Sequence, residues 1–442
     1  MRASPTSRRT LIGVAAFAGA YVLTGCGKSS ETGDKEAKQS PSASPGTDAA
    51  RLREIPPAAD AASAKSTRQA WRYSHLAAQD STSYQALAVA SRDDVWLLGT
   101  RTQSLTPFLE RWDGKRWSEP ALPGDLMAGG RRSSWALATG GQARLWLAQR
   151  TVDAEQLAVF HRQDGSWQRL PDPPAFNDDH RSAGETKGAW LVASGEDLWV
   201  IAQGKVVHWD GQRWDAPALP FPAAALAAAP AGSDSPRAWV AGSVDSACGQ
   251  EECYPQPATA RWEDGAWQQL KTPSYRFPDP VPPEASATLD TIVHDPASDR
   301  LWALGRHDFN HGEVEKEPDT ESILLTGDGT AWRKVSAPET GRAFMTSTTV
   351  ADGAGGLLVD SRTHRTRHGK THKLADPDRL PEPSEVPKAK RKYDFKQPFE
   401  IAATRLIPGT RTVLAVGTVT FNNSSDTGDP PQRAALARYD AV

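Results

Sequence analysis

Short runs of apolar residues recur along most of the chain, and each run has the length of a β-strand. The clearest is an apolar run centred on tryptophan, which occurs five times, at residues 94–99, 145–147, 197–201, 238–242 and 301–305. Weaker versions follow at residues 356–359 and 413–417. Runs of small and apolar residues precede them, as at residues 86–90. Seven tryptophan-strand positions predict seven copies of one β unit.

A hairpin sequence lies downstream of the tryptophan run in five of the units. Each copy joins an Asp-Gly or Glu-Asp-Gly step to a following tryptophan, at residues 111–117, 162–167, 208–214, 261–267 and 326–332. The Asp-Gly step supplies the positive φ that a tight hairpin turn requires, and the flanking aromatic residues favour paired strands. Proline follows several copies, as at Pro123, Pro171 and Pro220. Proline ends an edge strand because it has no N–H to donate.

Together these segments predict a unit of four short antiparallel strands. Repeated about every 40 to 65 residues, such a unit is typical of β-propeller blades, so we predict an all-β fold with seven four-stranded blades. Most of the sixteen tryptophans are expected to fill the layers between neighbouring sheets. The seventh unit ends near Tyr439 without a fourth strand, and the N-terminal segment around Trp71 is predicted to supply it. That pairing closes the ring and leaves no open sheet edge.

The four-strand unit resembles kelch-type and galactose-oxidase-type propellers over residues 67–442. The kelch double glycine is absent, because the tryptophan strands end in a single Gly99, Gly242, Gly305 or Gly417. The hairpin at residues 326–332 is similar to the Asp-box of sialidase-like propellers, in which the box is a structural turn. These resemblances imply the fold and leave the function open.

The N-terminus carries an export signal. Three arginines, Arg2, Arg8 and Arg9, precede an apolar run at residues 11–22 that is too short to span a bilayer as a helix. The run leads into Leu23-Thr24-Gly25-Cys26, which resembles the lipobox of bacterial lipoproteins. The resemblance implies a signal peptide at 1–25, a lipidated Cys26 and a chain held on the extracytoplasmic face of the cell membrane.

Two questions about this N-terminus stay open. A buried cysteine after an ordinary signal peptide is the alternative to lipidation, and the Arg-Arg pair fits either general secretion or twin-arginine export. Residues 26–66 are predicted to form a disordered tether, since they are rich in Ser, Pro, Ala, Lys and Asp. Residues 67–442 form the predicted propeller domain.

Composition narrows the functional classes. The chain has 442 residues with 51 basic against 54 acidic side chains, which excludes a nucleic-acid binder driven by a basic field and a polytopic membrane protein. We therefore expect no nucleic-acid partner, and a monomer. Besides Cys26 there are two cysteines, Cys248 and Cys253. In an oxidising compartment the simplest prediction is that they form a disulfide with each other.

The sequence contains none of the common catalytic signatures: no Gly-rich phosphate loop, no G-x-S-x-G and no H-E-x-x-H. We predict no catalytic residues, no cofactor and no metal site. Acidic pairs at residues 93–94 and 196–197 are interpreted as turn formers. His364, His368 and His372 share strand parity, which allows a metal site, but the surrounding Arg and Lys residues favour a solvated basic hairpin.

Two further segments admit a binding role. The loop at residues 307–313 contains His, Asp and Glu, and it is interpreted as an exposed loop with a divalent-ion site as the alternative. The cationic insert at residues 387–393 could contact anionic lipid or cell-wall polymer, with a solvated linker as the preferred interpretation.

The leading hypothesis is a lipid-anchored propeller that binds or scaffolds a protein or glycan partner outside the cell without catalysis. It depends on the missing catalytic motifs and on long loops in the fourth, fifth and seventh units. The alternative is a secreted carbohydrate-active enzyme, sialidase-like or otherwise glycan-processing, with carboxylates and arginines around the axial channel.

Overall fold

The computed structural model describes residues 69–126, 133–141, 144–151, 156–174, 190–230, 237–245, 254–279, 281–282, 284–309, 319–338, 346–380, 397–421 and 431–441. Within these residues the chain forms 28 strands, β1 to β28, and one 3-10 turn at Thr346–Thr348. The strands pair antiparallel in seven four-stranded sheets. Of the described helical residues, none belongs to a helix long and apolar enough to cross a membrane.

Each sheet is one blade, and the strands of the first six blades follow in chain order. Blade 1 contains β2 (Thr82–Ser91), β3 (Asp94–Arg101), β4 (Thr106–Trp112) and β5 (Trp117–Ser118), and blade 2 contains β6 (Ser133–Thr139), β7 (Leu145–Thr151), β8 (Gln156–Gln163) and β9 (Ser166–Arg169). Blade 3 contains β10 (Trp190–Ser194), β11 (Asp197–Ala202), β12 (Lys205–Trp209) and β13 (Trp214–Asp215), and blade 4 contains β14 (Ala223–Ala228), β15 (Ala238–Asp245), β16 (Pro255–Glu263) and β17 (Ala266–Leu270).

The remaining blades complete the predicted seven. Blade 5 contains β18 (Ser286–Asp295), β19 (Arg300–Asp308), β20 (Glu321–Gly327) and β21 (Trp332–Lys334), and blade 6 contains the short strands β22 (Val350–Ala351), β23 (Leu357–Val359), β24 (Thr363–Arg365) and β25 (Thr371–Lys373). Blade 7 contains β26 (Phe399–Leu406), β27 (Thr412–Thr420), β28 (Gln432–Asp440) and, as its outer strand, β1 (Arg72–Leu76). First strands of consecutive blades contact one another all the way round, so they form the inner wall of a ring.

The N-terminal strand closes the ring, as the sequence predicted. β1 pairs antiparallel with β28, with Arg72 opposite Arg438 and Leu76 opposite Ala435. Trp71 is 2% exposed, packs 5.8 Å from the ring of Tyr439 and donates its indole N–H to the Ser361 carbonyl at 2.7 Å. The closing strand is therefore held by a backbone ladder and by a buried aromatic contact.

The core consists of layers between adjacent blades, and the repeated tryptophans fill these layers. The central-strand tryptophan of blade 3, Trp199, packs against blade 4 residues such as Phe221 and Val240. Trp302 of blade 5 packs in the same way against Leu357 of blade 6. The structural interpretation of these tryptophans is confirmed: Trp146, Trp199 and Trp302 are among the largest fully buried side chains.

The single glycine that ends the tryptophan strand has a steric cause. A Cβ on Gly305 would lie 1.8 Å from the Thr288 carbonyl oxygen, and a Cβ on Gly417 would lie 1.9 Å from that of Glu400. In both blades the first strand has a register shift beside this point, between Leu289 and Thr291 in blade 5 and within β26 in blade 7. A bulge in the first strand brings its backbone onto the glycine, so no side chain fits there.

The Asp-Gly hairpins fall into two conformations. In blades 2 and 4 both residues have positive φ, as at Asp164 (51°) and Gly165 (86°), which is a type I′ turn. In blades 1, 3 and 5 only the glycine has positive φ, and the aspartate instead caps the turn. Asp328 accepts hydrogen bonds from the Thr330 hydroxyl at 2.7 Å and the Thr330 and Ala331 N–H groups at 2.9 and 3.0 Å. These bonds lower the pKa of Asp328 to about 2.

Candidate functional site

Several residues singled out from the sequence lie outside the described residues. They are Cys26, Cys248 and Cys253, together with the signal peptide, the tether segment through residue 66 and the cationic insert at residues 387–393. Lipidation and the disulfide therefore stay predictions.

The acidic residues beside the tryptophan strands do more than form turns. In blade 1, Arg111 of the third strand pairs with Trp96, lies 4.8 Å above its ring and donates to Asp94 at 2.9 Å. Asp94 begins the tryptophan strand, so the carboxylate, the cation and the indole are neighbours in one blade. We call this arrangement a clip: an Arg or His on the third strand, opposite the central position of the second strand, bound to a carboxylate at the start of that second strand or in the turn before it.

Blade 3 contains the same clip with histidine in place of arginine. His208 pairs with Trp199, stacks on it at 4.8 Å, and its Nε2 lies 2.7 Å from the Asp197 carboxylate. His208 is 6% exposed. The bond to Asp197 satisfies a buried imidazole nitrogen that would otherwise lose its hydrogen-bond partner. The pair at residues 196–197 therefore has a structural role, and Asp197 in particular is committed to His208.

Of the three histidines that the sequence places in blade 6, His364 belongs to a clip. His364 is 1% exposed, its Nε2 lies 2.8 Å from Asp352, and its Nδ1 lies 2.9 Å from the Tyr439 hydroxyl. Both ring nitrogens are thus used within the protein. His368 is exposed and accepts from the Arg367 guanidinium at 2.9 Å. Among the described residues, no three His, Cys, Asp or Glu side chains gather as metal ligands.

Burial and hydrogen bonding act in opposite directions on Asp352. Burial raises the pKa of its carboxyl, whereas hydrogen bonds from His364 and from the Ala354 and Gly356 N–H groups lower it more, so the net shift is downward. His364 stands opposite Leu358 in the β23–β24 pairing, the place that tryptophan has in blade 3. The acid–base part of the clip is therefore retained in blade 6, although this blade has no tryptophan at the central position.

The described part of the loop at residues 307–313 is packed rather than exposed. His307 is 5% exposed, lies 4.2 Å from Phe309 and 5.0 Å from Phe277 between ring centroids, and its Nδ1 is 3.3 Å from Glu321. Burial lowers the pKa of His307. Its imidazole is part of an aromatic cluster, and residues 310–313 lie outside the described residues.

A cavity lies on the ring axis, where the first strands of the blades meet. Its volume is about 440 Å³, and the first strand of each of the seven blades contributes to its wall. The wall is mostly aliphatic, with residues such as Ala88, Leu137, Leu226 and Ile292. This size and this lining are typical of a site for a small ligand.

One permanently charged side chain, Arg405 of β26, stands among the described residues that line this cavity. Its guanidinium lies 4.8 Å above the ring of Trp190 and donates to the Thr404 carbonyl at 2.7 Å. Trp190 begins β10 of blade 3, which lies across the ring from blade 7. Burial lowers the pKa of Arg405 to about 10, so the side chain stays charged at neutral pH.

Sequence reasoning missed both the clips and Arg405, although each had a signal. The hairpin motif repeatedly carries Arg or His just before its Trp-Asp or Trp-Glu pair, as at Arg111, His208 and Arg261. Arg405 interrupts a run of small and apolar residues that matches the first strand of other units. A charged residue at a repeat position that is otherwise small marks a departure from the structural pattern.

No protein-family model matches the chain, and no curated protein matches it. Among solved structures, it is similar to the β-propeller domain of the Trilobed protease from Pyrococcus furiosus, with 9% identity, a TM-score of 0.44, and coverage of 81% of this chain and 95% of that one. It is also similar to a xyloglucanase from Xanthomonas campestris, with 15% identity, a TM-score of 0.43, and coverage of 82% and 55%.

A third similar structure is the polysaccharide lyase Uly1, with 11% identity, a TM-score of 0.41, and coverage of 81% of this chain and 90% of the lyase. Likeness at this level carries no information about activity. The chain is a seven-bladed β-propeller by its own architecture, since its seven four-stranded sheets are arranged in a closed ring.

Proposed function

We propose that this chain is a lipid-anchored, extracytoplasmic β-propeller that binds a partner without transforming it. The observation that carries the proposal is the axial cavity, an aliphatic space of about 440 Å³ with a single arginine in its described wall. Such a space is suited to recognition, because apolar walls gain from burying a ligand and one charged group orients it.

The environments of the clip carboxylates support binding over catalysis. General acid–base chemistry needs a carboxylate or imidazole within reach of the substrate, in a protonation state suited to the reaction. Asp94, Asp197 and Asp352 each accept a hydrogen bond from a basic side chain of the adjacent strand. Their positions are explained by blade packing, which leaves the cavity with the character of a binding site.

Attachment to the membrane is the second part of the proposal, and it depends on Cys26. Replacing Cys26 with Ser removes the thiol that would take the diacylglyceryl group. We expect the Cys26→Ser chain to escape lipoprotein processing and to lose its lipid-dependent membrane retention, measured by fractionation and by metabolic labelling with a radioactive fatty acid. Cys248→Ser is the matched control. A Cys26→Ser chain that is processed and labelled like the natural one would contradict the anchor.

We also propose that Cys248 and Cys253 are joined by a disulfide. The loop that such a bond would close is short, so its stabilising effect through chain entropy is modest, about 2 kcal/mol. Thiol labelling of the denatured, unreduced chain should modify neither cysteine, and labelling after reduction should modify both. Two reactive thiols before reduction would contradict the pairing.

The binding function itself is tested by affinity capture from the native cell envelope with the purified chain as bait. We expect a protein or glycan partner to be retained and to be released by free chain in solution. Incubation of the same chain with envelope glycans should release no fragments. Turnover of a glycan with kinetics that depend on chain concentration would contradict the proposal and support a carbohydrate-active enzyme.

A further inference from the structure

We infer that the axial cavity binds a small organic carboxylate, with Arg405 holding the carboxylate and the aliphatic wall enclosing an apolar body. This inference depends on the proposed function, because it names the class of ligand for the same cavity. It is carried by the position of Arg405 in the repeat, by the absence of a carboxylate partner among the described residues, and by the character of the surrounding wall.

The position of Arg405 is normally small and apolar. In the five blades that have a central-strand tryptophan, the first-strand residue paired with that tryptophan is alanine or valine: Ala88, Ala138, Val192, Ala227 and Val293. In blade 7 the corresponding central residue is Leu414, three residues before Gly417, and its partner is Arg405. Five blades therefore pack into the ring with a small apolar residue at this first-strand position. Blade packing does not require an arginine at the same position in blade 7.

The charge of Arg405 is not balanced by the protein groups around it. Within the described part of the chain, no carboxylate forms an ion pair with Arg405, and its one hydrogen bond goes to the neighbouring Thr404 carbonyl. A guanidinium has five N–H donors, and the described part of the chain occupies one of them, so most remain for a ligand in the cavity that Arg405 lines. Removing this cation from bulk water without an anionic partner is unfavourable, and an entering carboxylate would offset that cost.

Trp190 fixes the direction in which the guanidinium presents its donors. The indole lies 4.8 Å from the guanidinium carbon, so one face of the planar group is covered and its edge is left to bind a ligand. A planar fork of two N–H groups matches the two oxygens of a carboxylate.

The wall selects for an apolar body rather than a sugar. The hydroxyls of the four threonines that line the cavity already donate within the protein. Three of them donate to backbone carbonyls, Thr139 to Val89 at 3.1 Å, Thr346 to Asp290 at 3.1 Å and Thr404 to Ser347 at 3.4 Å, and Thr349 donates to the Asp360 carboxylate at 3.4 Å. A sugar brings several hydroxyl groups, each of which needs a partner once it is desolvated. Aliphatic and aromatic bodies need none, so they suit this wall better.

The test is titration calorimetry of the purified full chain with sodium benzoate and sodium hexanoate. The matched uncharged probes are benzamide and hexanamide, and inorganic phosphate tests an anion without an apolar body. We expect each carboxylate to bind about tenfold or more tightly than its amide, and phosphate to bind more weakly than either carboxylate. Equal affinity of carboxylates and amides, or stronger binding of phosphate, would overturn the inference without any variant being needed.

Variants then locate the site. Arg405→Gln should weaken carboxylate binding about tenfold or more, and Arg405→Lys, which keeps the charge but loses the fork, should give an intermediate affinity. The control is Arg411→Gln, an exposed arginine of the same blade, which should bind as the natural chain does. Unchanged affinity in Arg405→Gln, or equal loss in Arg411→Gln, would overturn the assignment of the site.

The two proposals fail in different ways. If envelope capture retains a partner while benzoate and hexanoate bind no better than their amides, the ligand class is wrong and the binding function stands. If the chain degrades an envelope glycan, the binding function is wrong whatever the calorimetry shows.

Discussion

Arginine lies on the face of a tryptophan ring both between the blades and on the axis of this propeller, with different consequences. In blade 1, Arg111 lies 4.8 Å above Trp96 and is bound to Asp94 at 2.9 Å. On the axis, Arg405 lies 4.8 Å from Trp190, and no described carboxylate accompanies it. The aromatic contact is equivalent in the two places, so the carboxylate makes the difference.

We infer that this carboxylate decides the role of each arginine: Arg111, which has one, is structural, and Arg405, which has none among the described residues, binds a ligand. In the clip, the charge of Arg111 is compensated inside the blade, and the three side chains hold neighbouring strands in register. In the axial cavity, no described carboxylate compensates the charge of Arg405, and we infer that an entering anion does so. A cation held away from water without an anionic partner lowers stability, and functional sites commonly carry such a cost.

The largest expected effect is on the free energy of unfolding, and it compares a tryptophan between the blades with a tryptophan beside the axial cavity. Trp199→Ala removes a fully buried indole from the layer between blades 3 and 4, so we expect a loss of about 3–5 kcal/mol in the free energy of unfolding. Trp190→Ala removes a half-buried ring beside the cavity, with an expected loss of about 1–2 kcal/mol. Chemical denaturation of both variants measures the difference. Equal losses would show that Trp190 is a layer residue like Trp199.

A smaller loss is expected from removing a carboxylate from the most buried clip. Asp352→Ala leaves His364 and two backbone N–H groups without their acceptor in the interior of blade 6, so we expect a loss of about 2–3 kcal/mol. Asp93→Ala is the control, since Asp93 is exposed and its nearest basic group, Arg92, is 3.6 Å away. A loss for Asp93→Ala that equals the loss for Asp352→Ala would contradict the structural role of the clip.

The comparison between the two arginines is tested directly by replacing each with methionine. Arg111→Met leaves Asp94 without its ion-pair partner, so we expect a loss of about 1 kcal/mol, small because Arg111 is partly exposed. Arg405→Met removes an uncompensated charge from an apolar wall, and we expect unchanged or slightly higher stability without ligand. Thermal unfolding in ligand-free buffer measures both. Destabilisation of Arg405→Met by as much as Arg111→Met would assign Arg405 to the scaffold.

The smallest effect concerns acid stability and the hairpin aspartates. The folded-state pKa of Asp328 is lowered to about 2, so its stabilising effect is present above the unfolded value near 4 and is lost as the pH falls towards 2. Asp328→Asn should therefore reduce the difference in stability between neutral pH and pH 3, measured by urea unfolding. Ser166→Ala in the type I′ hairpin of blade 2 is the control; it removes no titratable group and should leave the pH dependence as it is. A changed pH dependence in the control alone would contradict the assignment.

The blade count, the strand order and the closing strand followed from the sequence by itself. Each depends on local and repeated signals: a strand-length apolar run around Trp96, an Asp-Gly step such as Asp113-Gly114, and a last unit that lacks one strand. Because every blade is built by the same short-range rules, repetition makes a weak local signal strong. The sequence also predicted attachment to the membrane through a lipid on Cys26, a residue that lies outside the described residues.

The tertiary structure alone decided what the charged residues do. The ring brings Arg405 of blade 7 onto Trp190 of blade 3 and makes seven first strands into one cavity wall, contacts between residues far apart in sequence. The sequence allowed His364 as a metal ligand, whereas in the structure it is buried and hydrogen-bonded to both Asp352 and Tyr439. A strand pattern records which face a side chain occupies, but the partner it meets there depends on how separate blades converge, and that is set by the closure of the ring.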